Sequence, residues 1–345
     1  MIDWAVARRV GGLALGEEPE PQLLPGDLIA LAEDAERRVV AYTGLQPARP
    51  LPPPESVGRR AWLDANLVSM QRMLDPVAES LGGRLGSLPG PVRSIAGAAL
   101  GAQVGGLGGL LGRRVLGQYD LALLDGDIVP RLLFVEPNLR EAADELAVDP
   151  AELVAWVCFH EVTHAVQFGG VPWLRPHLGG LLGELLSDLE PNLDLRELLK
   201  LPSAEDVKAF VGAVRSGELL RLVGGEGKRA TLDRVQATMA LVEGHAEHVM
   251  DVVGADALDD LPALRAALDR RREDRLGRDG IFAWLERLLG LELKLRQYTV
   301  GKAFCDEVAE RGGVEALNVA FASPELAPSL AELEDPAGWL ARTAS

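Results

Sequence analysis

Apolar residues recur every three to four positions along most of the chain, and that period predicts helices. Residues 25–45 form the first clear case, with Asp27 placed to cap the N-terminus and Gly44 near the end. The stretch QPARPLPPPES (46–56) breaks the pattern and reads as an extended, proline-rich connector. Residues 61–81 return to helical spacing, with a kink or break expected at Pro76. The only convincing strand signal lies in residues 117–138, where apolar pairs broken by DGD and Pro130 predict two short strands, the second at 132–135. Asp149, Pro150 and Glu152 then mark a helix start, and Gly169-Gly170 followed by Pro172 marks its end. Shorter, more polar helices are expected over 178–230, a long helix over 230–253, and further helical stretches over 256–289 and 292–311. The last residues are punctuated by prolines and are expected to wrap the surface. The fold class is therefore mainly α with a small β-hairpin or sheet.

Residues 94–112 (SIAGAALGAQVGGLGGLLG) carry no charge and repeat small residues at four-residue spacing. That pattern fits either a membrane helix or an internal helix packed backbone to backbone. Low side-chain mass and the mid-run Gln103 favour the second. Each glycine costs about 1 kcal/mol against alanine in a helix, so only close packing offsets so many. No repeat or composition break divides the chain. Residues 1–345 read as a single domain, in which 1–60 supply an N-terminal helix and connector and 178–230 a helical insertion.

Composition narrows the partners. With 52 acidic and 35 basic residues the formal charge is −17, which argues against nucleic acid and anionic membrane. Two cysteines make no disulfide framework. The N-terminus has an acid at position 3 and too short an apolar run for a signal peptide, so a reducing, cytoplasmic setting is expected.

The chemistry concentrates in WVCFHEVTHAVQF (156–168). At about 100° per residue, His160 and His164 lie one turn apart on one face, so both imidazoles can reach one zinc ion. Glu161 is displaced by about 100°, near the metal but off it, where a base that activates water belongs. A catalytic zinc needs a third protein ligand and one open position. MALVEGHAEHVMD (239–251) is the obvious supplier. On its helical wheel Glu243, Glu247 and Asp251 share a face, while His245 and His248 point elsewhere. Either Glu243 or Glu247 could ligate, with the next acid accepting a ligand histidine's free N–H.

HEVTH followed by EGHAEHV resembles the glutamate-ligand zincin metallopeptidases. The motifs LGQYD, HEVTHAVQF, PWLR, EGHAEHVMD and LRQYTVGKAF, which span nearly the whole chain, resemble an actinobacterial family of zincin-like proteins, in part associated with deazaflavin-coenzyme biosynthesis. The resemblance implies a zincin-like architecture. It implies Glu243 as the third zinc ligand with Glu247 behind it; the second candidate ligand is Glu247, with Asp251 behind it. The 78 residues between His164 and Glu243 exceed the short spacer of the peptidases. For oxyanion stabilisation the candidates are Tyr298 first, then Tyr119, His248 and His245, with His177 weaker; Tyr42 sits on an ordinary amphipathic helix.

The expected function is zinc-dependent hydrolysis of a peptide or small-molecule substrate, most simply as a metallopeptidase. The alternatives are a non-catalytic zincin scaffold that keeps its metal for stability or for partner binding, and a hydrolase of a small non-peptide substrate. An intact Glu161 separates these, because structural zinc needs no base. The strand at 132–135 is expected to offer an edge for an extended substrate.

Overall fold

A computed structural model describes residues 2–85, 90–120, 129–187, 226–274 and 296–344. Helix α1 (Trp4–Leu15) is capped by Asp3, which accepts from the backbone of Ala5 and Val6. Sequence periodicity did not single it out, because glycines and exposed apolar residues blur its pattern. Helix α2 (Leu28–Thr43) has the expected ends: Asp27 caps it, and Gly44 closes it in the left-handed conformation. Part of the proline-rich connector is a strand, β1 (Pro54–Val57). Helix α3 (Arg59–Leu85) continues past Pro76 rather than ending there. Helix α4 (Gly90–Gly112) is followed by β2 (Gly117–Asp120), β3 (Arg131–Val135) and α5 (Glu136–Leu146). Next come α6 (Pro150–Gly170), α7 (Leu174–Ser187), α8 (Glu226–Gly254), α9 (Leu261–Asp274) and α10 (Arg296–Asn318). A 3-10 turn (Val319–Phe321), α11 (Leu330–Leu333) and α12 (Pro336–Thr343) end the chain. Most of the expected insertion, residues 188–225, lies outside the described residues.

The three strands form one sheet in the order β1-β3-β2. β3 pairs in parallel with β1 and antiparallel with β2. The expectation that residues 132–135 offer a free edge is therefore overturned. β3 is the central strand and both of its sides are paired. Its burial fits that place: Leu132 to Val135 are all buried, as expected for a strand covered on both faces. The unrecognised β1 explains the error, since Pro54 and the prolines just before it disguise an edge strand.

Helix α4 lies against α1 through its glycines. A Cβ on Gly101 would overlap the carbonyl of Asp3, and one on Gly105 the carbonyl of Ala7. This is the backbone-to-backbone packing that offsets the glycine cost. Arg93–Gly112 is long and apolar enough to cross a membrane by length and composition, and 44% of its apolar window is buried.

Helix α6 runs through the centre, touching α2, α5, β2 and α8. Of its 21 residues 14 are buried, and between Leu153 and Phe168 only Ala155 and His160 are not, so it is enclosed all round rather than amphipathic. The C-terminal segment does more than wrap the surface. Trp339 is fully buried, stands edge-on to Phe304 at 5.1 Å between ring centroids, and donates its indole N–H to Leu326.

Helices α8 and α10 cross at glycines. A Cβ on Gly244 would overlap the carbonyl of Gly301, and one on Gly301 the carbonyl of Ala240. Backbone cannot yield as a flexible side chain can. Gly301→Ala is thus expected to destabilise the fold by about 3 kcal/mol, the upper end of ordinary overpacking. Denaturant unfolding of the two proteins measures this, and a change below about 0.5 kcal/mol would show that the helices separate at little cost.

Candidate metal centre

His160 and His164 project from the middle of α6, one turn apart. Glu243 projects from α8 to meet them. The His160 and His164 Nε2 atoms are 3.2 Å apart, and His164 Nε2 lies 3.7 Å from Glu243 Oε1. All three ligand atoms lie within 4.8 Å of one another. A tetrahedral zinc site with bonds of about 2.0–2.1 Å has ligand–ligand distances of about 3.3 Å. Two nitrogens and one carboxylate oxygen at these separations fit such an ion with one position left for water or substrate.

The rings are held from behind. Trp156, one turn before His160, stacks on its imidazole with 5.4 Å between centroids and planes only 6° apart. His164 Nδ1 is 2.9 Å from Gln167 Oε1. Gln167 Nε2 in turn lies 2.9 Å from the Val242 carbonyl and 2.8 Å from His245 Nδ1. One amide thus ties the two site helices together where water has no access: Gln167 and His245 are completely buried and His164 nearly so.

Glu161 is buried beside β2. Its Oε2 accepts the backbone N–H of Tyr119 at 2.7 Å. Register explains why that N–H is available. Among the described residues β2 pairs with β3 on one side only, and Tyr119 turns its backbone N–H outward toward α6. Gly117 makes the close approach possible, since a Cβ there would stand 2.6 Å from Val157 Cγ1 and 2.8 Å from Glu161 Cγ. The edge strand therefore fixes the carboxylate through backbone, independently of the side chain at position 119.

The profile of the zincin-like metallopeptidase family matches residues 2–340. The chain belongs to that family. No curated protein matches this zincin-like chain in sequence. Among solved structures it is similar to a candidate hydrolase with a novel fold from Chloroflexus aurantiacus, at 28% identity and a TM-score of 0.72. That match covers 100% of this chain and 99% of the other.

Within the zincin-like frame, the other residues singled out from sequence fall in different places. Glu247 and Asp251 turn to cations: Arg265 lies 3.5 Å from Glu247 and 2.5 Å from Asp251, and Lys302 lies 2.8 Å from Asp251. The acceptor at His164 Nδ1 is Gln167, not one of these carboxylates. Sequence reading passed Gln167 over, although its spacing of three residues from His164 places it on the same face. His248 is held between the Tyr42 hydroxyl at 2.7 Å and Asp306 at 2.8 Å, which gives Tyr42 a partner that its helix alone did not suggest. Tyr119 stacks on Phe168 and burial pushes its phenol up to about 12, so its hydroxyl is a poor proton donor at neutral pH. His177 stands edge-on to Trp173 on the α7 side. The side chain of Tyr298 lies outside the described residues. Both cysteines are buried thiols, and burial pushes Cys158 up to about 12.

His245 carries a testable acid sensitivity. Burial pushes its imidazole down to about 3, with His248 and His164 adding to the push. Its Nε2 has no hydrogen-bond partner among the described residues and sits by the Phe321 ring. The folded state therefore holds the ring neutral while the unfolded chain binds a proton below about pH 6.5. That stability is complete above the unfolded value and is lost as pH falls toward 3. From pH 7 to pH 5 the metal-free protein is expected to lose about 2 kcal/mol through this residue. Denaturant titrations of wild type and His245→Leu at both pH values test this, the variant showing the shallower dependence. Equal slopes would assign the acid sensitivity to other groups.

Proposed function

We propose that the protein is a zinc-dependent hydrolase, most simply a metallopeptidase. The observation that carries this reading is the convergence of His160, His164 and Glu243, with Glu161 held beside them but outside the set of ligand atoms. Two imidazoles and one carboxylate suit zinc and leave a position open. When bound, the ion supplies a Lewis acid that polarises the scissile carbonyl and makes water acidic near neutral pH. Glu161 takes a proton from the attacking water and hands it to the departing amine, so that water adds across the amide. Its hydrogen bond from the Tyr119 backbone N–H holds the carboxylate in place. Peptide bonds are the simplest substrate; a small non-peptide amide or ester uses the same chemistry.

The purified full chain is expected to hold one zinc per molecule and to cleave members of a broad peptide library. His160→Ala and His164→Ala are expected to lose stoichiometric zinc. Full zinc retention in either variant would remove the site. A zinc-replete protein that leaves the whole library intact would move the substrate away from peptides.

A further inference from the structure

We infer that Gln167 is a positioning residue of the metal centre, fixing the tautomer of His164 so that its Nε2 lone pair faces His160 and Glu243. The inference deepens the proposed function and rests on its metal site.

One group at Gln167 has a role with no alternative. The Val242 carbonyl can only accept a hydrogen bond. It lies 2.9 Å from one terminal atom of the Gln167 amide, which must therefore be the NH₂. The second hydrogen of that NH₂ points to His245 Nδ1 at 2.8 Å. Only the amide oxygen then remains for His164 Nδ1, at 2.9 Å. An oxygen of that kind accepts, so His164 Nδ1 carries the hydrogen. A neutral imidazole has one N–H, and Nε2 is left bare. That atom is the one 3.2 Å from His160 Nε2 and 3.7 Å from Glu243 Oε1.

A buried amide is the residue type suited to this post. A carboxylate could accept from His164 but, when ionised, would face the Val242 carbonyl oxygen with a second acceptor. A hydroxyl is too short to serve three partners across two helices. Burial makes the order of bonds rigid, since Gln167 is completely enclosed and no water can take over a lost contact. The register of α6 against α8 is thereby linked to the metal: the backbone of Val242, adjacent to Glu243, dictates which nitrogen of His164 is available.

The test reads the tautomer directly. Long-range proton–nitrogen correlation spectra of the metal-free full chain, with its five histidines, distinguish the two ring nitrogens. They are recorded at about pH 8, above the ordinary imidazole range. Wild type is expected to show His164 with its hydrogen on Nδ1. Gln167→Met keeps similar bulk and removes both donor and acceptor; it is expected to show a mixture of tautomers. Its zinc affinity, from competition with a chromophoric chelator, is expected to fall about 10–100-fold. Gln167→Glu, its buried carboxyl protonated toward the Val242 carbonyl, restores an acceptor at that place and is expected to recover the Nδ1 hydrogen and part of the affinity. Should Gln167→Met fail to fold, the wild-type and Gln167→Glu spectra still decide. His164 carrying its hydrogen on Nε2 in wild type, or a Gln167→Met protein with unchanged tautomer and affinity, overturns the inference. Wild type with the expected tautomer but no zinc binding overturns the proposed function and leaves the role of Gln167 standing.

Discussion

Replacing Glu161 by Gln is expected to leave zinc binding intact and to lower hydrolysis by about 10²–10⁴-fold, the usual range for a lost general base. The geometry makes this a clean substitution. Glutamine has the same length, and its Oε1 can still accept the Tyr119 backbone N–H that now holds Glu161 at 2.7 Å. What it cannot do is take a proton at neutral pH. Glu161 is not among the three converging ligand residues, so the ion should stay. Single-turnover cleavage of the best library peptide, with zinc content measured on the same samples, checks both halves. Near wild-type cleavage would mean that another group accepts the proton. Loss of zinc would mean that Glu161 ligates, and the division of labour between ligands and base would need redrawing. The expected split, full metal and little activity, also separates an enzyme from a scaffold that holds metal for stability, because the scaffold has no activity to lose.

The parts of this centre that were legible in the sequence are those governed by helix period. His160 and His164 share a face because they are four apart, and Asp149, Pro150 and the paired glycines bound their helix by local rules. The group behind His164 was within reach of the same logic, since Gln167 is one turn further on, but uncharged amides rarely draw attention beside acids. Other features depend on tertiary contact and leave no local trace. The Tyr119 N–H reaches Glu161 because β2 is an edge strand, and strand order cannot be read from short runs. Arg265 is drawn to Glu247 and Asp251 from a separate helix, α9. Gly244, next to Glu243, lacks the side chain that would block a close helix approach. The helix that approaches it is α10, through Gly301, and not α6. A small residue signals contact without naming the partner. The strand at 132–135 was placed at an edge because its neighbour β1 hides in a proline-rich run, where propensity argues against a strand.

Glu243→Ala is expected to weaken zinc binding by more than about 100-fold, and Glu247→Ala by about tenfold at most, judged against the 10–100-fold typical of groups one step removed from a metal. The two carboxylates stand one turn apart on α8, so the helical wheel cannot choose between them. Their partners differ. Glu243 Oε1 lies 3.7 Å from His164 Nε2 with its side chain 12% exposed, whereas Glu247 is met by Arg265, which also donates to the Glu247 backbone carbonyl at 3.0 Å. A carboxylate that turned to the metal from position 247 would have to leave that guanidinium, so the ion gains less by recruiting it. Removing Glu243 strips an anionic donor from the site and leaves two neutral imidazoles, a set that holds zinc poorly. Removing Glu247 leaves Arg265 anchored by Asp251 at 2.5 Å, and Asp251 anchored by Lys302, so the local fold has a second support. Competitive chelator titration of both variants, beside circular dichroism to confirm folding, gives the comparison. If Glu247→Ala proves the more damaging, the third ligand moves one turn along α8, Arg265 must release it when metal binds, and the ligand geometry seen here belongs to the metal-free state alone.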